Sequence, residues 1–258
     1  MSITYEIDGG TGWIRIDRPD RLNALDAAAL DLMGDAIVRG SADSAVRAMV
    51  LIGEGGRAFS TGGDLKQLRQ DELDGRGLRA EQAAARLYAL LRECPKPLIA
   101  AVDGHCLAAG FELALLCDIV VATAQSQFGL SEIRFSLMPD AGLLELPRRI
   151  PAAAARALLL TGLPVAAERA YHLGLVSDLC RDREALLRRV DALAAALALA
   201  APLAVEAYKR VLDAADSAPI EAATRARAQW WPRLSASEDR AEGLTAFLEK
   251  RAPRWRGR

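Results

Sequence analysis

Histidine is almost missing from this chain of 258 residues: only His105 and His172 occur, and neither stands in a cluster of ligand-type side chains. A zinc-type centre needs three or four nitrogen, sulfur or carboxylate ligands brought together, so no metal is expected. Cysteine is sparse as well. Cys94, Cys106, Cys117 and Cys180 lie far apart with no C-x-x-C pair, three of them within apolar runs. That spacing reads as reduced, buried thiols of a cytoplasmic protein. Net charge is nearly absent: a formal charge of −1 provides no basic field to hold a phosphate backbone, which argues against nucleic acid as a partner. The longest uncharged run, Ala192 to Val205, is shorter than the ~20 apolar residues a membrane-spanning helix needs, and it carries Pro202. A soluble helix is expected there and no membrane partner. Met1 to Glu6 lack the basic region and apolar stretch of a secretory signal. There is no G-x-S-x-G elbow and no Cys–His pairing to suggest a covalent nucleophile, and no internal repeat or low-complexity linker.

What is present is apolar residues, 52% of the chain, enough to bury one sizeable core. Ile3 to Ile7 and Gly12 to Ile16 flank Asp8-Gly9-Gly10-Thr11 and predict a hairpin. Asp26 is placed to cap a helix whose apolar positions Leu30, Met33 and Ile37 recur at helical spacing. The strand Ala48 to Ile52 leads into a glycine-rich loop, Gly53 to Asp64. A helix over Glu81 to Cys94 presents Leu87, Leu90, Leu91 and Cys94, and Pro95-Lys96-Pro97 ends it before the strand Leu98 to Val102. A short apolar helix from Phe111 and the strand Ile119 to Ala122 follow. Strands separated by helices argue for βαβ-type units around a largely parallel sheet. From Ala152 the pattern reads as nearly all helical: Ala152 to Thr161, Ala166 to His172 closed by Gly174, Asp182 to Ala200, then on to Lys250. The last helix opens with Ser235-Ala236-Ser237-Glu238, a capping-box pattern, and offers Ala241, Leu244, Phe247 and Leu248 as an apolar stripe.

Three segments could carry chemistry. Gly53 to Ala58 formally matches the dinucleotide fingerprint, but more loop residues follow where that motif needs a helix. The loop that continues it, Arg57 to Lys66, is glycine-rich enough for its backbone to approach a ligand. The second segment places small residues, Ala108 to Gly110, before an apolar helix, leaving backbone N–H groups to face an anion; Glu112 stands early in that helix. In the third, Glu132 interrupts apolar surroundings ahead of Pro139-Asp140. Two half-buried carboxylates on separate elements are what acid–base chemistry at one carbon–carbon bond needs, and burial raises their pKa values. Close packing, a favourable helix dipole and an aspartate bonding its own turn are the structural alternatives for the small residues, Glu112 and Asp140.

In order and spacing, these segments resemble the enoyl-CoA hydratase/isomerase (crotonase) family over essentially the whole chain. Arg18-Pro19 through Asn23-Ala24-Leu25 resembles the family's early motif beside coenzyme A, which brings in Arg21, Leu22 and Ala24. Arg57 and Ala58 to Lys66 resemble its A-F-x-x-G-x-D-L/I-K motif, implying substrate contacts from Ser60, Thr61, Gly62, Asp64, Leu65 and Lys66 and the first oxyanion amide at Gly63. Lys96-Pro97 through Glu112 and Asp118 resembles the segment that provides Leu107 and, at Ala109, the second amide. Glu112 and Glu132 match the two glutamates of hydratases, while Pro139, Asp140 and Gly142 border the acyl end. Phe247 and Lys250 match residues that bind coenzyme A, often from a neighbouring subunit. The chain departs from the usual pattern at Ala108-Ala109-Gly110, where three glycines are common, and at Asp140, where many hydratases have glycine. An alanine amide still serves if the φ of Ala109 is negative.

The resemblance implies an α/β fold with a crotonase-like ββα spiral core over residues 1–195 and a C-terminal helical trimerisation region over 196–258. It implies a hydro-lyase acting on an acyl-CoA thioester, with no separate cofactor, and a homotrimer or homohexamer. The late apolar stripes, without a home in a small core, point the same way. An enoyl-CoA isomerase or a carnitinyl-CoA-type dehydratase using Asp140 stays open. Balanced charge and the presence of both glutamates speak against a non-catalytic acyl-CoA-binding or RNA-binding role.

Overall fold

The computed structural model describes residues 2–75, 79–135, 137–217, 225, 228–230, 232–233 and 236–258, without the side chains of residues 72, 217, 247 and 248. Strands β1 (Ile3–Asp8) and β2 (Thr11–Ile16) pair antiparallel with Asp8 opposite Thr11. Gly9 and Gly10 join them at positive φ, the two-residue turn whose twist suits a hairpin. Helix α1 (Ala27–Ala42) starts where Asp26 accepts the Ala29 amide at 2.8 Å, as the cap signal predicts. Next come β3 (Ala48–Gly53), β4 (Ala58–Ser60), α2 (Leu65–Leu73), α3 (Arg79–Glu93), β5 (Leu98–Val102), β6 (His105–Leu107), α4 (Ala109–Leu115), β7 (Ile119–Thr123) and β8 (Gln127–Gly129). A 3₁₀ turn at Glu132–Phe135 precedes α5 (Ala141–Arg149), α6 (Ala152–Thr161), β9 (Val165–Ala166), α7 (Ala167–His172), β10 (Asp178–Cys180), α8 (Arg183–Ala198), α9 (Pro202–Ser217) and α10 (Glu238–Glu249).

Six strands form one sheet in the order β1-β2-β3-β5-β7-β10, parallel except for the opening hairpin. Both faces are covered, which is why β3 reads as an unbroken apolar run. Met49 and Leu51 join the core beneath α1 and α3, whereas Val50 and Ile52 pack with Leu186 and Val190 of α8. A second sheet, β4-β6-β8-β9, was not expected. Short strands correct two readings: the loop Gly53 to Asp64 contains β4, and the stretch after Ala152 contains β9 of this sheet and β10 of the first and is not all helical. Ala166 consequently belongs to β9, and α7 begins one residue later. The small-residue turn also enters its helix earlier than predicted, at Ala109.

The uncharged run Ala192 to Val205 is divided between α8 and α9, so it is not one helix. Among the described residues no single helix is long and apolar enough to cross a membrane. Ser237, not Ser235, sits before α10 and accepts the Arg240 amide at 3.1 Å; Ser235 lies outside the described residues. So do the side chains of Phe247 and Leu248, while Leu244 of the same expected stripe is exposed. All four cysteines are buried and free of disulfides.

Candidate active site

One wall of the site is built from a buried asparagine. Asn23, fully buried at φ 58°, accepts the Arg18 amide at 2.9 Å and donates to the carbonyls of Glu54 at 3.0 Å and Ala58 at 2.7 Å. This ties the loop after β2 to both ends of the β3–β4 turn. Beside it, the Leu25 amide donates to the Gly62 carbonyl and the Asp64 amide to the Leu25 carbonyl, each at 2.8 Å, forming an isolated parallel bridge between Leu25 and Gly63. The bridge uses the Gly62 carbonyl and the Asp64 amide, on either side of Gly63, and not the amide of Gly63 itself. A Cβ at Gly63 would meet nothing within 4 Å, so that residue faces open space. Burial alone would raise the Asp64 carboxyl, but the Gln67 amide and the Arg21 and Arg18 guanidiniums outweigh it and hold the group below its ordinary value.

Across from this loop, the chain turns sharply into α4. Ala108 has φ 50° and ψ −129°, a conformation natural to glycine, while Ala109 has negative φ and begins the helix. A helix's first amide has no carbonyl one turn behind it. Ala108 is pinned from both sides: its amide donates to Gly129, and its carbonyl accepts the amides of Phe111 and Glu112. Gly110 is the position where alanine would not fit, because a Cβ there would lie 2.4 Å from the Ser60 carbonyl oxygen. At Gly62 a Cβ would lie 2.6 Å from that of Ala108. The two loops therefore touch, and Gly63 and Ala109 line the same cavity, of about 240 Å³.

Glu112 and Glu132 also line this cavity, 4% and 9% exposed, so each is taken almost wholly out of bulk water. Their surroundings differ. Glu112 accepts two hydrogen bonds of 2.8 Å, from the Tyr88 hydroxyl at Oε2 and from the Gly142 amide at Oε1. Burial still raises its pKa, and these two donors oppose the rise. Glu132 has no hydrogen-bond partner for its buried Oε2. Burial, against its own backbone amide and reinforced by the charge of Glu112, lifts it to about 7. Such a pair, one carboxyl whose charged form accepts two hydrogen bonds and one titrating near neutrality, can act as base and acid. Asp140 lines the cavity too and makes no hydrogen bond that would cap α5, so the reading of an aspartate tied to its own turn is not what the structure shows.

The other expected residues divide into four groups. Thr61, Asp64 and Leu65 line the cavity. Leu22, Ala24, Ser60 and Gly142 act through hydrogen bonds behind it: Leu22 O accepts from Thr61, Ala24 O from Arg18, Ser60 Oγ from the Gly62 amide, and Gly142 N reaches Glu112. Pro139 packs against Gly142, and Arg21 pairs with Asp64. Arg57, Lys66, Leu107 and Lys250 do not line the cavity; Lys250 is exposed just past α10. Tyr88 was missed, although a buried tyrosine hydroxyl usually finds a partner. Ala80, Ala84 and Tyr88 form one line along α3 facing the cavity.

Comparison with known proteins gives the family. The family model described as enoyl-CoA hydratase/isomerase matches residues 6–258. The chain is 36% identical to the 2,3-dehydroadipyl-CoA hydratase of Escherichia coli K12, covering 95% of this chain and 94% of that protein. It is 35% identical to the carnitinyl-CoA dehydratase of Proteus mirabilis, with the same coverage. The crystal structure of an enoyl-CoA hydratase from Bacillus anthracis superposes with a TM-score of 0.93 at 28% identity, covering all of both chains. The chain is an enzyme and belongs to the enoyl-CoA hydratase/isomerase, or crotonase, family.

Proposed function

We propose that this enzyme is a hydro-lyase that adds water to a trans-2-enoyl-CoA thioester, giving a 3-hydroxyacyl-CoA. The observation that carries the reading is the meeting of Glu112 and Glu132, buried carboxyls from separate elements, in one cavity with Gly63 and Ala109. Addition to the β-carbon pushes negative charge onto the thioester oxygen, and fixed N–H donors stabilise it most as the enolate forms. The Gly63 and Ala109 amides are these donors, each contributing roughly 3 kcal/mol to the barrier. Glu112, held by two donors, stays charged and takes a proton from water as the water oxygen bonds to the β-carbon. Glu132, titrating near 7, gives its proton to the α-carbon as the enolate collapses. Glu112 ends protonated and Glu132 charged, and exchange with solvent restores the pair.

Coenzyme A would lie along Arg21 and the loop Thr61 to Lys66, with Phe247 and Lys250 reaching it from a neighbouring subunit of a homotrimer or homohexamer. Tyr208, Leu212 and Leu244, all more than half exposed in the single chain, support such an assembly of C-terminal regions. A monomer by size exclusion with light scattering would remove it.

A second reading rests on Asp140. Its uncapped carboxylate lines the cavity, and no Lys or Arg does among the described residues. That charge pattern suits a cationic acyl group, as in a carnitinyl-CoA-type dehydratase, better than an acyl chain ending in a carboxylate; isomerisation of a 3-enoyl-CoA is the other use of such a group. The deciding experiment assays crotonyl-, crotonobetainyl- and 3-enoyl-CoA with the wild type, Glu112→Gln, Glu132→Gln and Asp140→Ala. Hydration is expected to collapse in both Gln variants. Loss of turnover in Asp140→Ala alone would replace hydration with the isomerase reading.

A further inference from the structure

We infer that Tyr88 is a positioning residue for the hydration reaction: its hydroxyl orients the Glu112 carboxylate and keeps it in the charged form that takes a proton from water. The inference rests on the hydration reading above. Tyr88 is 1% exposed, and its hydroxyl spends its one proton on Glu112 Oε2 at 2.8 Å, across 24 residues of chain. The Gly142 amide holds Oε1 at the same distance. Two donors on two different elements, α3 and α5, thus fix the plane of a carboxylate carried by a third, α4. A carboxylate oxygen accepts more than one hydrogen bond, so each retains capacity for a water.

The groups facing Glu112 explain why the tyrosine matters. Burial opposes its ionisation most strongly, and the like charge of Asp140 adds to it; Glu132, whose own carboxyl the Glu112 charge raises, faces it across the cavity. Against them stand only the Tyr88 hydroxyl and backbone amides, without a cation among the residues that line the cavity. Tyr88 itself cannot lose its proton in the working range: burial and the neighbouring carboxylates push its hydroxyl well above the usual value. It therefore remains a donor wherever the enzyme is active. The ring has a second task. Ala84 and Ala80, one and two turns before it, leave room along the cavity wall, and the aromatic ring fills the space beside Glu112.

The test is Tyr88→Phe, which keeps the ring and deletes the donor. Removing a hydrogen bond to a charged acceptor should move the acid limb of the kcat/KM profile up by about one to two pH units. The activity deficit should grow as pH falls, with KM at the optimum changed less than kcat. A packing defect would lower activity by one factor at every pH. On a Glu112→Gln background, Tyr88→Phe should cost no further activity, since it acts through that carboxylate. Should Tyr88→Phe fail to fold, biosynthetic 3-fluorotyrosine provides a stronger donor of nearly the same shape and should move the acid limb downward. An acid limb unmoved by Tyr88→Phe, or by the fluorotyrosine if that is the form that folds, would overturn the inference. Full activity in Glu112→Gln would instead remove the hydration reading on which it rests.

Discussion

The main-chain N–H of Gly142 donates to Glu112 Oε1 at 2.8 Å, so the start of α5 holds a carboxylate that α4 presents. Space there is tight: a Cβ would lie 2.7 Å from Leu130 Cδ1 and 3.1 Å from Pro139 Cβ, so Leu130 would have to shift. Gly142→Ala should push Leu130 out of its buried position, lowering stability by about 1–3 kcal/mol and displacing the donor. Thermal melting and kcat measured together would check this; an unchanged melting temperature with unchanged kcat would contradict it.

On the proposed mechanism, Glu132 sets the alkaline side of the activity profile. Its carboxyl is raised to about 7, so the protonated acid that hydration requires is lost as pH climbs through neutrality. A pH–rate profile of the wild type should fall above about pH 7.

The same shift bears on folding. A carboxyl whose folded pKa is raised favours the native state fully below its unfolded value, and this contribution is lost as pH rises through the folded one. The window here runs from the ordinary glutamate range to about 7. Glu132→Gln, neutral throughout, should accordingly be more stable than the wild type at pH 8, by on the order of 1–2 kcal/mol after allowance for solvent on its open side. Urea midpoints at pH 5 and pH 8 would test it; a difference that does not change between them would not fit.

Ala108 pays for its place in strain. At φ 50° and ψ −129° it occupies a conformation that glycine takes freely. Ala108→Gly should relieve the strain, and after the added freedom of the unfolded chain the net gain should be about 1 kcal/mol. A fall in melting temperature would show that the methyl group packs favourably enough to offset its backbone.

Asn23 is the most exacting position in the supporting loop. Asn23→Leu would remove three hydrogen bonds and leave two carbonyls without their donor, for an expected loss of about 2–4 kcal/mol. Because Leu25 and Asp64 bridge next to it, hydrogen exchange at residues 60–64 should accelerate along with that loss.

Much of the main sheet was legible beforehand because its signals are local. Asp26 and Asp182 cap α1 and α8 by accepting amides three residues on, and the apolar runs of β3, β5 and β7 end at turn residues. The second sheet was not legible. Strands of two or three residues, such as β4 and β9, are too short to display an alternating period, and they exist only because distant partners meet them. The two glutamates stood out as charges among apolar neighbours, but Tyr88 looked like one more helix residue beside Leu87 and Leu91. Its meaning lies in a carboxylate on another helix, and residue spacing within α3 carries no trace of that.

The lone bridge at Leu25 and Gly63 has a polarity that matters beyond its size. Successive peptide units along an extended stretch point their dipoles in opposite directions. Lengthening the segment between Gly62 and Asp64 by one residue would thus rotate an oxygen into the opening now faced by Gly63. That carbonyl would then repel the enolate oxygen that the proposed reaction places there, with every side chain of the site unchanged.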